Sequence, residues 1–352
     1  MISGITQRYF VSRIFSTFLL FISLLFALYV LIDYTSRATN LGLSAEELGI
    51  YYLFTFIVRL DVLVPFALLT AVIQTITQAN GRNELVAVRA SGQSLPSALS
   101  PLLFLALLTT TSIYVNEQAA IPKALKWIEQ MESKQTKRPV EGSTVSHLTL
   151  RDESELLFHS YSRSLKEFSD TYWLRNHNDI YRMQELNLRS DIPKARFVEH
   201  FQRDDQGRLV LIDQHVTLSL PHLKIDEAAL MQSVTPPLEY SLTELWSQLP
   251  DKQQTRQPRD ARIEAAFWKK ATVPWLCLIA LLAPVPFCVP YRKPLRIFYI
   301  FAGGLFGLFT LYIALSAGYT LATHDVFPAW LALCLPTALI AAMSAVRFAK
   351  IK

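Results

Sequence analysis

Apolar positions gather along this chain into six long runs, with short polar intervals between most of them and one very long interval in the middle. About 20 apolar residues carry a helix across the hydrocarbon of a bilayer. Runs of that length occupy 14–32, 52–77, 95–115, 268–289, 297–320 and 326–346, and each is predicted to be a membrane-spanning helix. The first run is longer than a signal-peptide core, and the DYTSRATN after it is no small-residue cleavage site, so it is read as a retained span. Pro65 is expected to kink the second span. Pro274, Pro284 and Pro286 should break the fourth, and Pro336 lies in the sixth.

The interval 116–267 changes character. It opens on a helical stretch, EQAAIPKALKWIEQMESKQ, that prolongs the third span. It then turns to short runs rich in β formers at 172–174, 195–202 and 208–220. Asp204-Asp205-Gln206-Gly207 between the last two reads as a hairpin turn. Strands of this kind predict a small all-β domain, a sandwich or jelly roll. The stretch 241–270 returns to the membrane as a helix or linker. The predicted organisation is therefore residues 1–115 with spans one to three, 116–267 with the inserted β domain and its helical connectors, and 268–352 with spans four to six.

Composition supports this division. Of 352 residues 51% are apolar and only 18% charged, below the roughly 25% usual for soluble chains. The net charge of +5 follows from basic residues in the short loops rather than from a nucleic-acid surface, since no basic run interleaves with aromatics. With the N-terminus inside, one set of loops holds Arg8, Arg13, Arg82, Arg89, Arg292, Lys293, Arg296, Arg347, Lys350 and Lys352 against the single acid Glu84. The positive-inside rule then places both termini in the cytoplasm and the β domain outside. Cys277, Cys288 and Cys334 all lie in apolar segments, so no disulfide staples the inserted domain.

Catalytic motifs are lacking. There is no G-x-x-x-x-G-K-[ST], no H-E-x-x-H and no G-x-S-x-G, so neither a catalytic nor a metal site is predicted in the chain, and no cofactor. The loop between spans two and three, GRNELVAVRASGQSLPSAL, carries the most information. A short helix at 82–91 would place Leu85 and Val88 on one face with Glu84 and Arg89 beside them. It is either a hairpin resting on headgroups or a coupling helix docked in the groove of a partner ATPase. Arg37, Lys123, Lys126, Lys269 and Lys270 would lie near the outer membrane surface. Singly they would snorkel to headgroups; converging on one cavity mouth they would attract a phosphorylated ligand. Gly303 and Gly307 give span five a G-x-x-x-G spacing suited to close helix contact, within the bundle or between subunits.

The order of these features resembles a known family. Three spans, a β-rich insert and three more spans, with NELVAVRASG in the first inner loop, are similar to the permease subunits of the lipopolysaccharide export transporter (LptF/LptG, also YjgP/YjgQ). LIDYTSRA, EQAAIPKALKW, FAGGLFGLF and FPAWLALCLP add to the likeness, which covers essentially the whole chain. The resemblance implies a heterodimer with a paralogous permease, a cytoplasmic ABC ATPase dimer that alone uses ATP, and a periplasmic jelly-roll bridge protein. The heterodimer would take lipopolysaccharide from the inner membrane. It places Glu84 and Arg89 in the ATPase-coupling helix and Arg37, Lys123 and Lys126 near lipid phosphates and sugars. The end of span one has one basic residue where some relatives have several. The competing reading is an ABC-type permease that transmits force to a periplasmic partner without carrying lipid.

Overall fold

The computed structural model describes residues 4–350 except 37–38, 40–41, 136–145, 151, 153, 163–165, 190–191, 205–206, 222, 224, 227–229, 231–234, 250–257 and 290–293. They divide into two compact units, one of residues 1–129 with 237–352, the other of residues 130–236.

The first unit is helical. Its elements are α1 (Ile5–Ser36), α2 (Ala45–Gly81), α3 (Glu84–Ala90), α4 (Leu95–Leu99) and α5 (Pro101–Val115), then a π turn (Asn116–Ala120) and α6 (Ile121–Gln135). After the second unit come α7 (Leu242–Ser247), α8 (Pro258–Thr272), α9 (Trp275–Leu282), α10 (Val285–Cys288), α11 (Pro294–Thr323) and α12 (Ala329–Ala349). Six stretches are long and apolar enough to cross a membrane: Gln7–Ser36, Ala45–Gly81, Ser97–Ile128, Arg259–Cys288, Ile297–Thr323 and Ala329–Ala349. The chain is a multi-pass membrane protein.

The helices outrun the apolar runs because their polar ends are well started. At α2 the Ser44 hydroxyl accepts from the Glu47 N–H while the Glu47 carboxylate accepts from the Ser44 N–H, a capping box seven residues ahead of the apolar run. At about 1.5 Å per residue, the 37 residues of α2 are far longer than the hydrocarbon is thick. Pro65 and Pro336 stay inside their helices. Pro274 and Pro284 divide the fourth span into α8, α9 and α10, since each lacks the N–H that would continue the ladder. Several hydroxyls along the spans bond the carbonyl one turn back, as Thr55 does to Tyr51, Thr70 to Phe66 and Ser344 to Ile340, so these are satisfied without water.

Burial separates inner from outer spans. In α8–α10 67% of the apolar window is buried, and in α2 56%, but in α1 and α11 only 11%. The centre is small and close-packed: Ala67, Ala71, Val72 and Ile73 of α2 against Cys277, Ala280 and Leu281 of α9. Apolar side chains left outside, such as Leu24 and Leu31 on α1 and Phe298 and Phe306 on α11, need lipid or another chain as solvent.

The second unit carries one antiparallel sheet of six strands in sequential order: β1 (Ser146–Thr149), β2 (Glu155–Ser162), β3 (Glu167–Asn176), β4 (Asp179–Asn187), β5 (Lys194–Arg203) and β6 (Leu209–Ser219). The expectation of strands followed by a tight turn holds at β5–β6, where the Gly207 N–H bonds the Asp204 carbonyl (2.9 Å) with Gly207 at φ +78°. Asp205 and Gln206 lie outside the described residues. Among the described residues the β domain is one antiparallel sheet whose strands follow in sequence order, because each connection is short enough to bring successive strands side by side.

One row crosses this sheet without laddering, through His159, Asp170, Gln184, Phe197 and Val216. Asp170 (φ +48°) and Phe197 (φ +50°) are left-handed there. The buried positions on either side are three apart rather than two: Phe168 and Thr171, Met183 and Leu186, Ala195 and Val198. Each kink turns the next residues back to the covered face, as a bulge does. That face is closed by Leu220, Leu223 and Leu230 from beyond β6. β6 itself is exposed along nearly its whole length.

Candidate functional site

Three places in the helical unit gather groups able to act. The first is the loop helix α3, at the end of the bundle termed the near end. Asn83 in the left-handed region (φ +58°) starts it and Gly92 (φ +81°) comes just after it, so the chain reverses sharply on both sides. It is shorter than the expected 82–91 because Arg82 and Asn83 belong to the turn.

The presented face is also corrected. Leu85 is only 3% exposed and packs in the bundle core, with Val88 half-buried against the same cluster. Residues at i and i+3 share a helix face, and here that face is the anchor. Val86, Ala87, Arg89 and Ala90 remain outside. Glu84 is tied down as well: its carboxylate accepts from the Tyr9 hydroxyl (3.2 Å) and from Arg13 (3.3 Å), both of α1. Arg13 also donates to the Gln78 side-chain carbonyl (2.9 Å). Close by, the Asn80 amide donates to the carbonyls of Cys288 (3.2 Å) and Val289 (3.1 Å). α3 is thus a rigid peg fixed to α1 and α2, apolar and basic on its outer side.

The second place is a charged layer at the far end of the spans. Counted at about 1.5 Å per residue from their near ends, Asp61, Glu117 and Lys270 all stand close to 30 Å along their helices, so they share one level. Lys270, expected at the surface as a lipid contact, is 4% exposed and gives its ammonium to Glu117 (2.7 Å). That expectation is corrected: a buried ammonium already holding a carboxylate is no surface contact. Lys269 lies 4.5 Å over the Tyr319 ring, a cation–π contact. Arg59, two residues before Asp61 on α2, donates to the Tyr29 hydroxyl (3.2 Å). Lys123 and Lys126 are exposed on α6. Arg37 lies outside the described residues. The four described basic residues therefore have unlike surroundings: Lys270 is buried on Glu117, Lys269 lies over Tyr319, and Lys123 and Lys126 are exposed.

At the same end α7 begins with a second capping box, Ser241 with Glu244. The Ser241 N–H, and next its hydroxyl, hold the Glu244 carboxyl below the usual carboxylate range, with Lys126 and Lys270 adding to the effect.

The third place is a cavity of about 700 Å³ beside α11, lined by Leu69, Ile279, Phe287, Gly303, Gly307 and Ile340 among others. Of the three glycines, Gly304 faces α2, where an added Cβ would meet Ile73 at 3.1 Å. Around Gly303 and Gly307 an added Cβ would meet nothing within 4 Å. The small-residue face of the expected G-x-x-x-G pair is therefore unoccupied by this chain, and the groove is apolar.

Sequence reasoning missed Tyr9, Arg13, Asn116, Glu117 and Gln118. For Glu117 a signal existed, an acid about 20 residues into one span and a lysine at matching depth in another. For Tyr9 and Arg13 there was none beyond position. Among the described residues no group of three or more His, Cys, Asp and Glu is placed to hold a metal ion.

Compared with known families, residues 8–350 match the profile of the lipopolysaccharide export system permease LptF/LptG. No curated protein matches the chain.

Proposed function

The chain belongs to the LptF/LptG family of lipopolysaccharide export system permeases, and from that premise we propose its part in the export cycle. It is one of two paralogous permeases in an ABC-type transporter of the bacterial inner membrane. It draws lipopolysaccharide from the bilayer and passes it to a periplasmic bridge protein through its β unit. The ATPase is a separate cytoplasmic subunit that docks on α3, and ATP is consumed there.

The observation that carries this reading is the construction of α3. A seven-residue helix fixed by Leu85, Val88 and Glu84, with Val86 and Arg89 outward, moves only if α1 and α2 move with it. Push on such a peg reaches two spans at once. The basic residues at the near end, Arg8, Arg13, Arg82, Arg89, Arg347 and Lys350, support a cytoplasmic near end. Lipid enters along the apolar groove beside Gly303 and Gly307, where the second permease closes over it. Shielding matters because each exposed methylene costs about 0.8 kcal/mol. Lys123, Lys126 and Lys269 remain the candidates for lipid phosphate, with Arg37.

The test is to purify the chain with its partners from membranes, identify the subunits by mass, and follow lipopolysaccharide with a photo-crosslinker at Lys126. Co-purification of an ATPase and ATP-dependent capture of lipopolysaccharide support the reading. An ATPase without any lipid capture favours transmission of force alone, and ATP hydrolysis by the isolated chain ends the proposal.

A further inference from the structure

The π turn at Asn116–Ala120 interrupts the third span where ordinary helix could have continued. Its side chains go to three different elements. The Asn116 amide donates to the Ile57 carbonyl of α2 (2.9 Å). Glu117 accepts from Lys270 of α8 (2.7 Å). Gln118 donates to the Thr243 hydroxyl (2.6 Å) and accepts from the Thr243 N–H (3.2 Å) at the start of α7. Just before the turn, the Tyr114 hydroxyl donates to the Ala271 carbonyl of α8.

Two of these facts are costly on their own. An ion pair with both members at 6% exposure or less, at the far end of the apolar spans, is weak as a stabiliser and more often kept for function. A π turn gives up regular hydrogen bonding and recurs at functional sites. It holds one residue more than an α turn, so everything after it is turned by about 100° relative to an uninterrupted helix. The helix so turned is α6, which leads into β1, while α7 lies on the return path from β6. α7 is tied to the turn itself by the Gln118–Thr243 hydrogen bonds, so it follows the turn as α6 does.

We propose that the π turn is the joint of the third span. On this view α6 and α7 rotate together against α5 when the turn gains or loses its extra residue, and Glu117 and Lys270 are positioning residues that fix the pivot to α8. Asn116 holds the α2 side, so motion entering α2 from the near end arrives at the joint directly. The joint rests on the proposed function only for the source of that motion.

The experiment uses the whole transporter reconstituted in vesicles containing lipopolysaccharide, with deletion of Ala119, Glu117→Gln, and the exchanged pair Glu117→Lys with Lys270→Glu. Deleting Ala119 removes the extra residue without removing a partner. It should leave the transporter assembled and hydrolysing ATP within about twofold, while lipopolysaccharide exported per ATP falls about tenfold or more. Glu117→Gln should show the same uncoupling, and the exchanged pair should recover a large part of it. Spin labels at Ser112→Cys and Ser247→Cys report the geometry independently of transport, and their separation should shift on the deletion. Export per ATP unchanged by the deletion, export and hydrolysis falling together with the amount of folded complex, or an unshifted label distance would each overturn the joint. A wild-type transporter that exports nothing would instead overturn the functional reading, leaving the joint to be judged by the labels.

Discussion

Truncating Leu85 separates the two faces of α3. Leu85 is 3% exposed and packed among buried neighbours, whereas Val86 next to it is 46% exposed. The peg lies beyond the apolar windows, so water is its solvent and burial has its full value there. Leu85→Ala removes three buried carbons and leaves a cavity, a change that costs about 2–5 kcal/mol in well-packed sites. Val86→Ala removes exposed carbons and should alter stability by less than about 0.5 kcal/mol. The two substitutions are compared by hydrogen exchange at the α3 amides and by binding of the partner ATPase. Leu85→Ala should speed exchange at Glu84–Ala90 and shorten the life of the intact bundle, with the loss of binding following from the loosened peg. Val86→Ala should leave exchange untouched and weaken binding alone. Unchanged exchange in Leu85→Ala together with lost binding would mean that Leu85 meets the partner, and the assignment of faces would be reversed.

The same geometry sets other expectations. Ser154→Ala removes the acceptor of the buried Trp173 indole N–H (3.0 Å) and should cost about 1–3 kcal/mol, read as faster exchange in β2 and β3. The Glu244 carboxyl is depressed in the folded chain. Its contribution is therefore fully present above the ordinary carboxylate pKa and lost as pH falls through the folded value, so protection of α7 should fall on acidification. Ser241→Ala keeps the N–H but removes the hydroxyl, so it should weaken that pH dependence and cost about 1 kcal/mol as a lost cap. Gly318→Leu drives a Cβ to 3.0 Å from the Ala332 carbonyl and should destabilise the α11–α12 pair by about 1–3 kcal/mol. In Gly303→Leu the added Cβ meets nothing within 4 Å and the rest of the side chain extends into the cavity, so thermal unfolding should change little while co-purification with a second permease falls.

The spans were legible because a run of apolar residues is long and unambiguous, and only their polar ends, set by caps such as Ser44 with Glu47, escaped. The strands were less so. β5 and β6 are rich enough in β formers on either side of the Asp204–Gly207 turn to be seen, but β4 (DIYRMQELN) buries only Met183 and Leu186, three apart. A search for period two cannot find a strand whose period is broken by a left-handed residue in its neighbour. The α3 segment was found as a helix, yet its inward side was misassigned, since Leu85 and Val88 make the same stripe whether they meet a partner or the bundle. Lys270 was misread for a related reason. Its distance from the membrane boundary was visible, but the acid waiting for it lies 153 positions away in sequence.

The unladdered row across the sheet has a consequence for how the β unit can go wrong. A flat strand can slide past its neighbour by two residues and still point the same side chains inward. Here a slide in β3, β4 or β5 would carry Asp170 or Phe197 out of line with the kink next door, setting a bent stretch of chain against a straight one. The row works as a key cut across five strands at once: they can assemble in one alignment, and a strand threaded one step off cannot be left in place.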